Sequence, residues 1–365
     1  MFARDEVIPA GPVVLRAAAE ADAEAMVRAC RDPEIVRFIP LIPLDYTRGD
    51  ALAYLKHVEE ARERGGSEFA MADAATGAWL GNIGLKPPVR GSMEVGYLVA
   101  PRARGRGVAT AALRALAARA FAAGVPRLEL LAAVENAASQ RVAMAAGFRR
   151  EGVLRAGEAD REGPRRDLVV FGRLAEDDGE RLMPYLPPLP GGELTDGVVR
   201  LTPLTAADAA DYLAMTSDPS VARHSAAGVP PSLAESERRC RYTTAWWLAG
   251  ERAELAIRDA ASGGFAGHIQ LTRVTPELGE AMVGYSLVAA FRGRGLATRA
   301  VNLLLDWAFT RTALSRVVAG TVPGNAASQK VLERAGFTRE AVMRGMLPGP
   351  DGTRLDNVQW ARLRA

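Results

Sequence analysis

The sequence predicts an α+β protein built from one domain present twice, each copy carrying a mixed sheet. Two observations lead there. Three segments recur in the same order: Asp73-AATGAWLG returns as Asp259-AASGGFAG, Tyr97-LVAPRARGRGVATAALRALAARA-Phe121 as Tyr285-SLVAAFRGRGLATRAVNLLLDWA-Phe309, and Asn136-AASQRVAMAAGFRRE as Asn325-AASQKVLERAGFTRE. In each copy a strand-like run enters a glycine-rich turn and leaves it as a helix-like run. The length of 365 residues fits two domains of about 100–200 residues each. Each copy is long enough to bury a core of its own.

The elements follow in parallel. Residues 13–16 and 199–202 read as short opening strands, each followed by an amphipathic stretch of Ala, Asp and Glu that reads as a helix. Strands at 69–72 and 79–85 flank Thr76-Gly77, and strands at 255–257 and 265–271 flank Ser262-Gly263, the turn chemistry of a hairpin. Residues 94–99 and 282–288 form the strand that enters the glycine turn. An alanine-rich helix comes next, then a strand at 128–133 or 317–321. A second helix starts near Asn-Ala-Ala-Ser and stops at Gly147 or Gly336, where glycine supplies the left-handed cap. Strands at 167–173 and 356–362 close the copies. Between them the acidic EDDGE run and PYLPPLPGG resist helix and sheet. The domains are therefore placed at 1–175 and 198–365, with a linker at 176–197.

Composition removes several classes of function. The net charge is +3 and no dense Lys/Arg run occurs, so a nucleic-acid partner is disfavoured. Lysine appears only at Lys56, Lys86 and Lys330, a bias toward arginine that we read as codon usage. Cys30 and Cys240 are the only cysteines, with no CxxC pair or metal-ligand spacing, which suits a reducing cytoplasm. The first residues lack a signal-peptide core, and no apolar run approaches the ~18–20 residues of a membrane span. The expectation is a cytoplasmic protein with no membrane, metal or nucleic-acid partner.

The turns themselves are Arg104-Gly105-Arg106-Gly107-Val108-Ala109-Thr110 and Arg292-Gly293-Arg294-Gly295-Leu296-Ala297-Thr298. Paired glycines let backbone approach a ligand closely. The helix that follows offers unpaired N–H groups and the positive end of its dipole, which together suit a pyrophosphate. Neither copy matches GxxxxGK[ST]. Neither has GxGxxG with an acidic residue ~20 positions on, which disfavours P-loop and Rossmann sites.

Strand–RGxGxAT–helix followed by NxxSxxVxxxxGFxxE resembles the GNAT superfamily of acetyl-CoA-dependent N-acetyltransferases, most of all its ribosomal-protein alanine N-acetyltransferase branch. The resemblance covers residues 12–174 and 198–365. It implies two tandem domains, each a twisted, mostly antiparallel sheet flanked by helices. It further implies that residues 105–110 and 293–298, with Arg104 and Arg292 beside them, hold the coenzyme A pyrophosphate. Leu98, Val99, Leu287 and Val288 would pair with the pantetheine arm, with Asn136 and Asn325 beside it. The implied reaction moves acetyl to a primary amine: a protein N-terminus, an amino acid or an amino-metabolite. A longer acyl donor, or a coenzyme-binding protein without transfer, are the rival readings. Relatives in the branch often pair as homodimers, so the two copies are expected to form a monomeric pseudo-dimer, with further association left open.

Transfer to an amine needs a proton acceptor. In many members this is a glutamate on the strand before the turn, and Glu94 matches it; Glu94 reads equally as a solvent-facing strand residue. The second copy has Met282 there, leaving Glu280 or His268 (matched by Asn82) as substitutes or as ordinary residues. Many members protonate the departing thiolate with a tyrosine before Gly-Phe, but Ala143 and Leu332 stand at those positions. In the ribosomal-protein branch the serine of NxxS takes that role, which points to Ser139 and Ser328; each reads alternatively as a helix-capping hydroxyl. Asp167 and Asp356 read as structural. The polar stretches 155–166 and 344–354, and the apolar, Pro-containing 38–46, either border an acceptor site or belong to the surface and packing.

Overall fold

The computed structural model describes residues 2–161, 163, 165–224, 230–349 and 352–364. It divides into two compact units, Met1–Met183 and Pro184–Ala365. The first carries an eight-stranded sheet in the order β1 (Ile8–Ala10), β2 (Val13–Arg16), β3 (Ser67–Asp73), β4 (Trp79–Leu85), β5 (Ser92–Val99), β6 (Arg127–Ala133), β8 (Arg166–Leu174), β7 (Arg149–Glu158). Every neighbouring pair is antiparallel except β5 and β6. That parallel pair needs a crossover, and helix α4 (Val108–Ala122) supplies it.

Helix α4 is alanine-rich, the composition with the best helix propensity. It turns a buried stripe of Val108, Ala112, Leu113, Leu116, Ala117 and Ala120 inward. Helices α1 (Ala23–Cys30), α2 (Pro33–Phe38) and α3 (Arg48–Glu63) supply a second cluster in which Met26, Ile35, Tyr46 and Ala51 meet Ala70 and Trp79 of the sheet. Burying each large apolar side chain contributes about 1.5–3 kcal/mol. Helix α5 (Ala137–Ala145) follows β6.

The second unit repeats the plan. Its sheet runs β9 (Leu194–Thr195), β10 (Val199–Pro203), β11 (Ala253–Asp259), β12 (Phe265–Thr275), β13 (Glu280–Leu287), β14 (Arg316–Thr321), β16 (Arg354–Leu363), β15 (Thr338–Pro348). Helix α9 (Leu296–Arg311) buries Leu296, Val301, Leu304 and Leu305 in one cluster with Leu255, Ile257, Ile269 and Val283. Helices α6 (Ala209–Ser217) and α8 (Leu233–Leu248) form another around Ala256. Helices α7 (Pro219–Ala222) and α10 (Ala326–Arg334) complete the unit.

One feature of each sheet positions the site. Strands β5 and β6 pair only at Ser92–Val95 against Arg127–Leu130. Beyond that point β5 stays with β4 as far as Val99, and β6 stays with β8 as far as Ala133. The strand ends part and leave a wedge. The same parting follows the short pairing of Glu280–Met282 with Arg316–Val318.

Several elements differ from the sequence reading. Three helices, not one, follow β2. Strands β7 and β15 run into the stretches read as loops at 155–166 and 344–354, of which residues 162, 164, 350 and 351 lie outside the described residues. Neither strand contains a buried residue, so they show no apolar alternation. Part of the expected linker is core: Leu186 and Leu189 are buried in the second unit, and Trp247 Nε1 donates to Leu186 O at 2.9 Å. Among the described residues no helix is long and apolar enough to cross a membrane.

Candidate active site

At the start of α4, Gly105 and Gly107 adopt φ of 74° and 75°, and at the start of α9, Gly293 and Gly295 both adopt 76°. L-residues are strained there. No atom lies within 4 Å of where a Cβ would stand at any of the four, so the space above each turn is open. Neither helix has a capping side chain or an acidic residue in its first turn. Ala111 N–H is bonded to Gly107 O and Arg299 N–H to Gly295 O. The N–H groups of Val108, Ala109 and Thr110, and of Leu296, Ala297 and Thr298, therefore precede the first intrahelical bond, at the positive end of the dipole. That donor set suits a diphosphate.

The flanking arginines are anchored to carboxylates. Arg104 Nη2 lies 2.5 Å from Asp32, and Arg106 lies 3.5 Å from Asp73. In the second unit Arg294 bonds Asp259 at 2.6 Å, and Arg292 bonds Ser220 Oγ and Leu287 O. Asp73 and Asp259 also accept backbone N–H bonds inside the β3–β4 and β11–β12 turns. The Asp-Ala-Ala repeat thus ties the hairpin turn to the glycine loop.

Across each wedge a tyrosine meets a serine. Tyr97 Oη lies 3.0 Å from Ser139 Oγ, and Tyr285 Oη lies 2.9 Å from Ser328 Oγ. Burial raises both phenol pKa values, that of Tyr285 to about 12, so both keep their protons near neutrality. The serines do not cap α5 and α10. Asn136 and Asn325 do, each accepting from the serine's backbone N–H at 3.0 and 3.1 Å. Asparagine is the better cap, which leaves the hydroxyl for the tyrosine. The tyrosines were missed in sequence because they open the repeat and match no motif position.

The register places the other residues. Leu98 and Val99 lie opposite Asn82 and Gly81, while Ser286 and Leu287 lie opposite His268 and Gly267. The second-copy equivalents of Leu98 and Val99 are therefore Ser286 and Leu287. Val288 lies past the end of β13, and its N–H bonds Ala266 O, as Ala100 N–H bonds Leu80 O. Glu94, Gly96 and Leu98 share a face, and Lys86 Nζ reaches Glu94 at 2.5 Å. Glu280 is bound by Arg316 at 2.7 Å, in a network with Glu340 at the paired end of the strands. Asp167 and Asp356 accept from the bulged backbone of Ala156 and Gly345.

Neither the half-buried Glu68 nor the buried Glu254, both near the wedges, was singled out in the sequence. Tyr54 donates to Glu68 at 2.6 Å, Asn82 donates to Tyr54 at 3.0 Å, and Trp79 donates to Asn82 at 2.8 Å. A Cβ on Gly84 would strike the Glu68 carboxylate at 1.8 Å, so Glu68 lies flat across that glycine. Burial pushes its pKa up to about 7, against the opposing Tyr54 bond. In the second unit Glu254 bonds His268 at 2.5 Å and Arg239 at 2.9 Å. Burial alone would raise Glu254, but His268 and Arg239 hold it near 2. A cavity of about 1220 Å³ runs from Gly293–Thr298 past Tyr285 and Ser328 to His268 and Arg239.

The family model for the acetyltransferase (GNAT) domain matches twice, at residues 13–149 and 199–338. Among curated proteins the chain is similar to the probable N-acetyltransferase YjcK of Bacillus subtilis, 45% identical over 64 residues, 18% of this chain and 35% of that one. It is similar also to the uncharacterized N-acetyltransferase p20 of Bacillus licheniformis, 37% identical over 71 residues, 20% of this chain and 40% of the other. The chain thus spans less than half the length of these relatives. Of solved structures, the ribosomal-protein-S5-alanine acetyltransferase of Vibrio fischeri aligns at 22% identity with a TM-score of 0.43, over 47% of this chain and 96% of that one. Mycobacterium smegmatis RimJ in complex with CoA-disulfide aligns at 27% and 0.41, over 47% and 86%. On the two family-model matches, which together span most of its length, the chain belongs to the GNAT acetyltransferase family, as two such domains in tandem.

Proposed function

We propose that the chain transfers an acetyl group from acetyl-CoA to a primary amine, with a coenzyme site in each half. The observation that carries this reading is the duplicated cradle: left-handed glycines, an uncapped helix and open space, beside strands that have parted. The coenzyme supplies the activated acetyl thioester. Backbone N–H groups of residues 105–110 and 293–298 hold its diphosphate. The strand edges at Leu98–Val99 and Ser286–Leu287 have lost their parallel neighbour and offer their remaining backbone groups to the pantetheine amides.

Glu94 takes the amine's proton through water, and a backbone N–H of β5 stabilises the charge that develops on the carbonyl oxygen. Ser139 gives its hydroxyl proton to the sulfur, oriented by Tyr97, and the proton taken by Glu94 returns to Ser139 through water. Ser328 and Tyr285 repeat that arrangement. The acceptor is a protein N-terminus, an amino acid or an amino-metabolite. We take the chain to act as a cytoplasmic monomer, its tandem domains standing in for a homodimer. The test is thiol release from acetyl-CoA in the presence of peptides with free N-terminal alanine or serine and of spermidine, followed by mass spectrometry. Acetylated amine in step with free thiol supports the reading. Coenzyme binding with no thiol release overturns it, and faster release from propionyl-CoA or butyryl-CoA assigns a longer acyl group.

A further inference from the structure

We infer that His268 is the proton acceptor of the second half and that Glu254 positions it. The inference rests on the acetyl-transfer reading above. Met282 leaves β13 without a base where β5 has Glu94. On the adjacent strand β12, opposite Ser286, His268 replaces the Asn82 of the first half. Its ring lines the same cavity as the glycine cradle, Tyr285 and Ser328. Nε2 lies 2.5 Å from Glu254 Oε2, and Glu254, fully buried, is gripped through Oε1 by Arg239 at 2.9 Å and Arg252 at 3.1 Å. Tyr212 packs edge-on to the imidazole at 5.2 Å and 90°. A carboxylate on one nitrogen fixes the tautomer as Nε2–H and leaves Nδ1 with its lone pair.

As the amine nitrogen bonds to the thioester carbon, its proton passes to Nδ1. The C–S bond breaks with its electron pair on sulfur, and sulfur takes the Ser328 hydroxyl proton. The proton held by His268 returns to Ser328 through water. The sum is amide plus free thiol.

Among the described residues, Glu254 bonds the ring, Arg239 and Arg252 bond Glu254, Tyr212 packs edge-on, and His224 and Glu235 line the same cavity. The test uses the full chain with Gly107→Glu, so that remaining turnover belongs to the second half. His268→Gln should lower thiol release, with alanyl peptide or spermidine as acceptor, by about 100-fold or more. Its coenzyme affinity should stay within about twofold by calorimetry. His268→Asn, which restores the first-half residue, guards against misfolding of the first variant.

A second readout needs no acceptor. The chain has three histidines, so the His268 ring signal is identified by its loss in the variant. Saturating acetyl-CoA should shift it, and Glu254→Gln should change the ring-nitrogen shifts that report its tautomer. Undiminished turnover in His268→Gln, a ring signal indifferent to acetyl-CoA, or a silent second half in a chain that otherwise transfers acetyl each overturn the inference alone. Failure of the unmodified chain both to bind coenzyme and to transfer acetyl overturns the functional reading beneath it.

Discussion

Glu68 and Ser139 show how much of the site depends on single side chains. Glu68 has a pKa near 7 because burial disfavours its charge. The folded chain therefore binds a proton that the unfolded chain releases between pH ~4.5 and ~7. Stability of the first unit should fall as pH rises through that window, by on the order of 3 kcal/mol from this residue. Glu68→Gln should flatten the decline and raise the melting temperature at pH 8, measured by calorimetry from pH 5 to 8. At Ser139 the proposal expects Ser139→Ala to cut first-half turnover about 100-fold with coenzyme affinity unchanged, measured in a chain whose second cradle carries Gly295→Glu. Tyr97→Phe, which keeps the ring and removes the hydroxyl, should cost less, about tenfold. Both serines were visible in sequence through their motif. Glu68 and Tyr97 were not, because their meaning comes from register. Glu68 matters only once β3 sets it beside Gly84, and Tyr97 only once β5 faces α5 across the wedge.

At the scale of elements, the glycine turn was the most legible part, because its backbone demands glycine outright. A left-handed residue that must also leave open space above it admits little else, and the requirement is written twice. Gly107→Glu should abolish coenzyme binding in the first half, since it fills the cradle with bulk and negative charge beside a diphosphate. The fold should survive with a strain cost of about 1–2 kcal/mol, checked by circular dichroism and calorimetry on the same sample. The parting of β5 from β6 was not legible from residues alone. It depends on how many pairs form before the twist separates the strands. The Asp73 and Asp259 echoes are visible as repeats, but their work, joining hairpin to glycine turn, exists only in the folded chain. Strands β7 and β15 escaped for a different reason: with no buried residue in either, they carry no buried face to pattern.

Over the whole molecule, the two halves keep the glycine turns and the Tyr–Ser pairs alike and differ in the buried polar groups beside them. The cradles, the Asn caps and the Tyr–Ser pairs agree between halves in geometry as well as in sequence. Glu94 against Met282, Tyr54 and Asn82 against Arg239 and His268, and a near-neutral Glu68 against an ionised Glu254 mark where they diverged. On the proposed reading, the two halves are expected to differ in acceptor or pH range. The boundary itself was read only in part. The Pro/Gly-rich stretch announced a break in sequence, yet Leu186 and Leu189 belong to the second core.

The central claim is that each half holds one coenzyme A on its glycine turn, and titration calorimetry with coenzyme A tests it most directly. The account predicts two molecules bound per chain, one after Gly107→Glu or Gly295→Glu, and none when both substitutions are present. Binding that persists undiminished in the doubly substituted chain would contradict it.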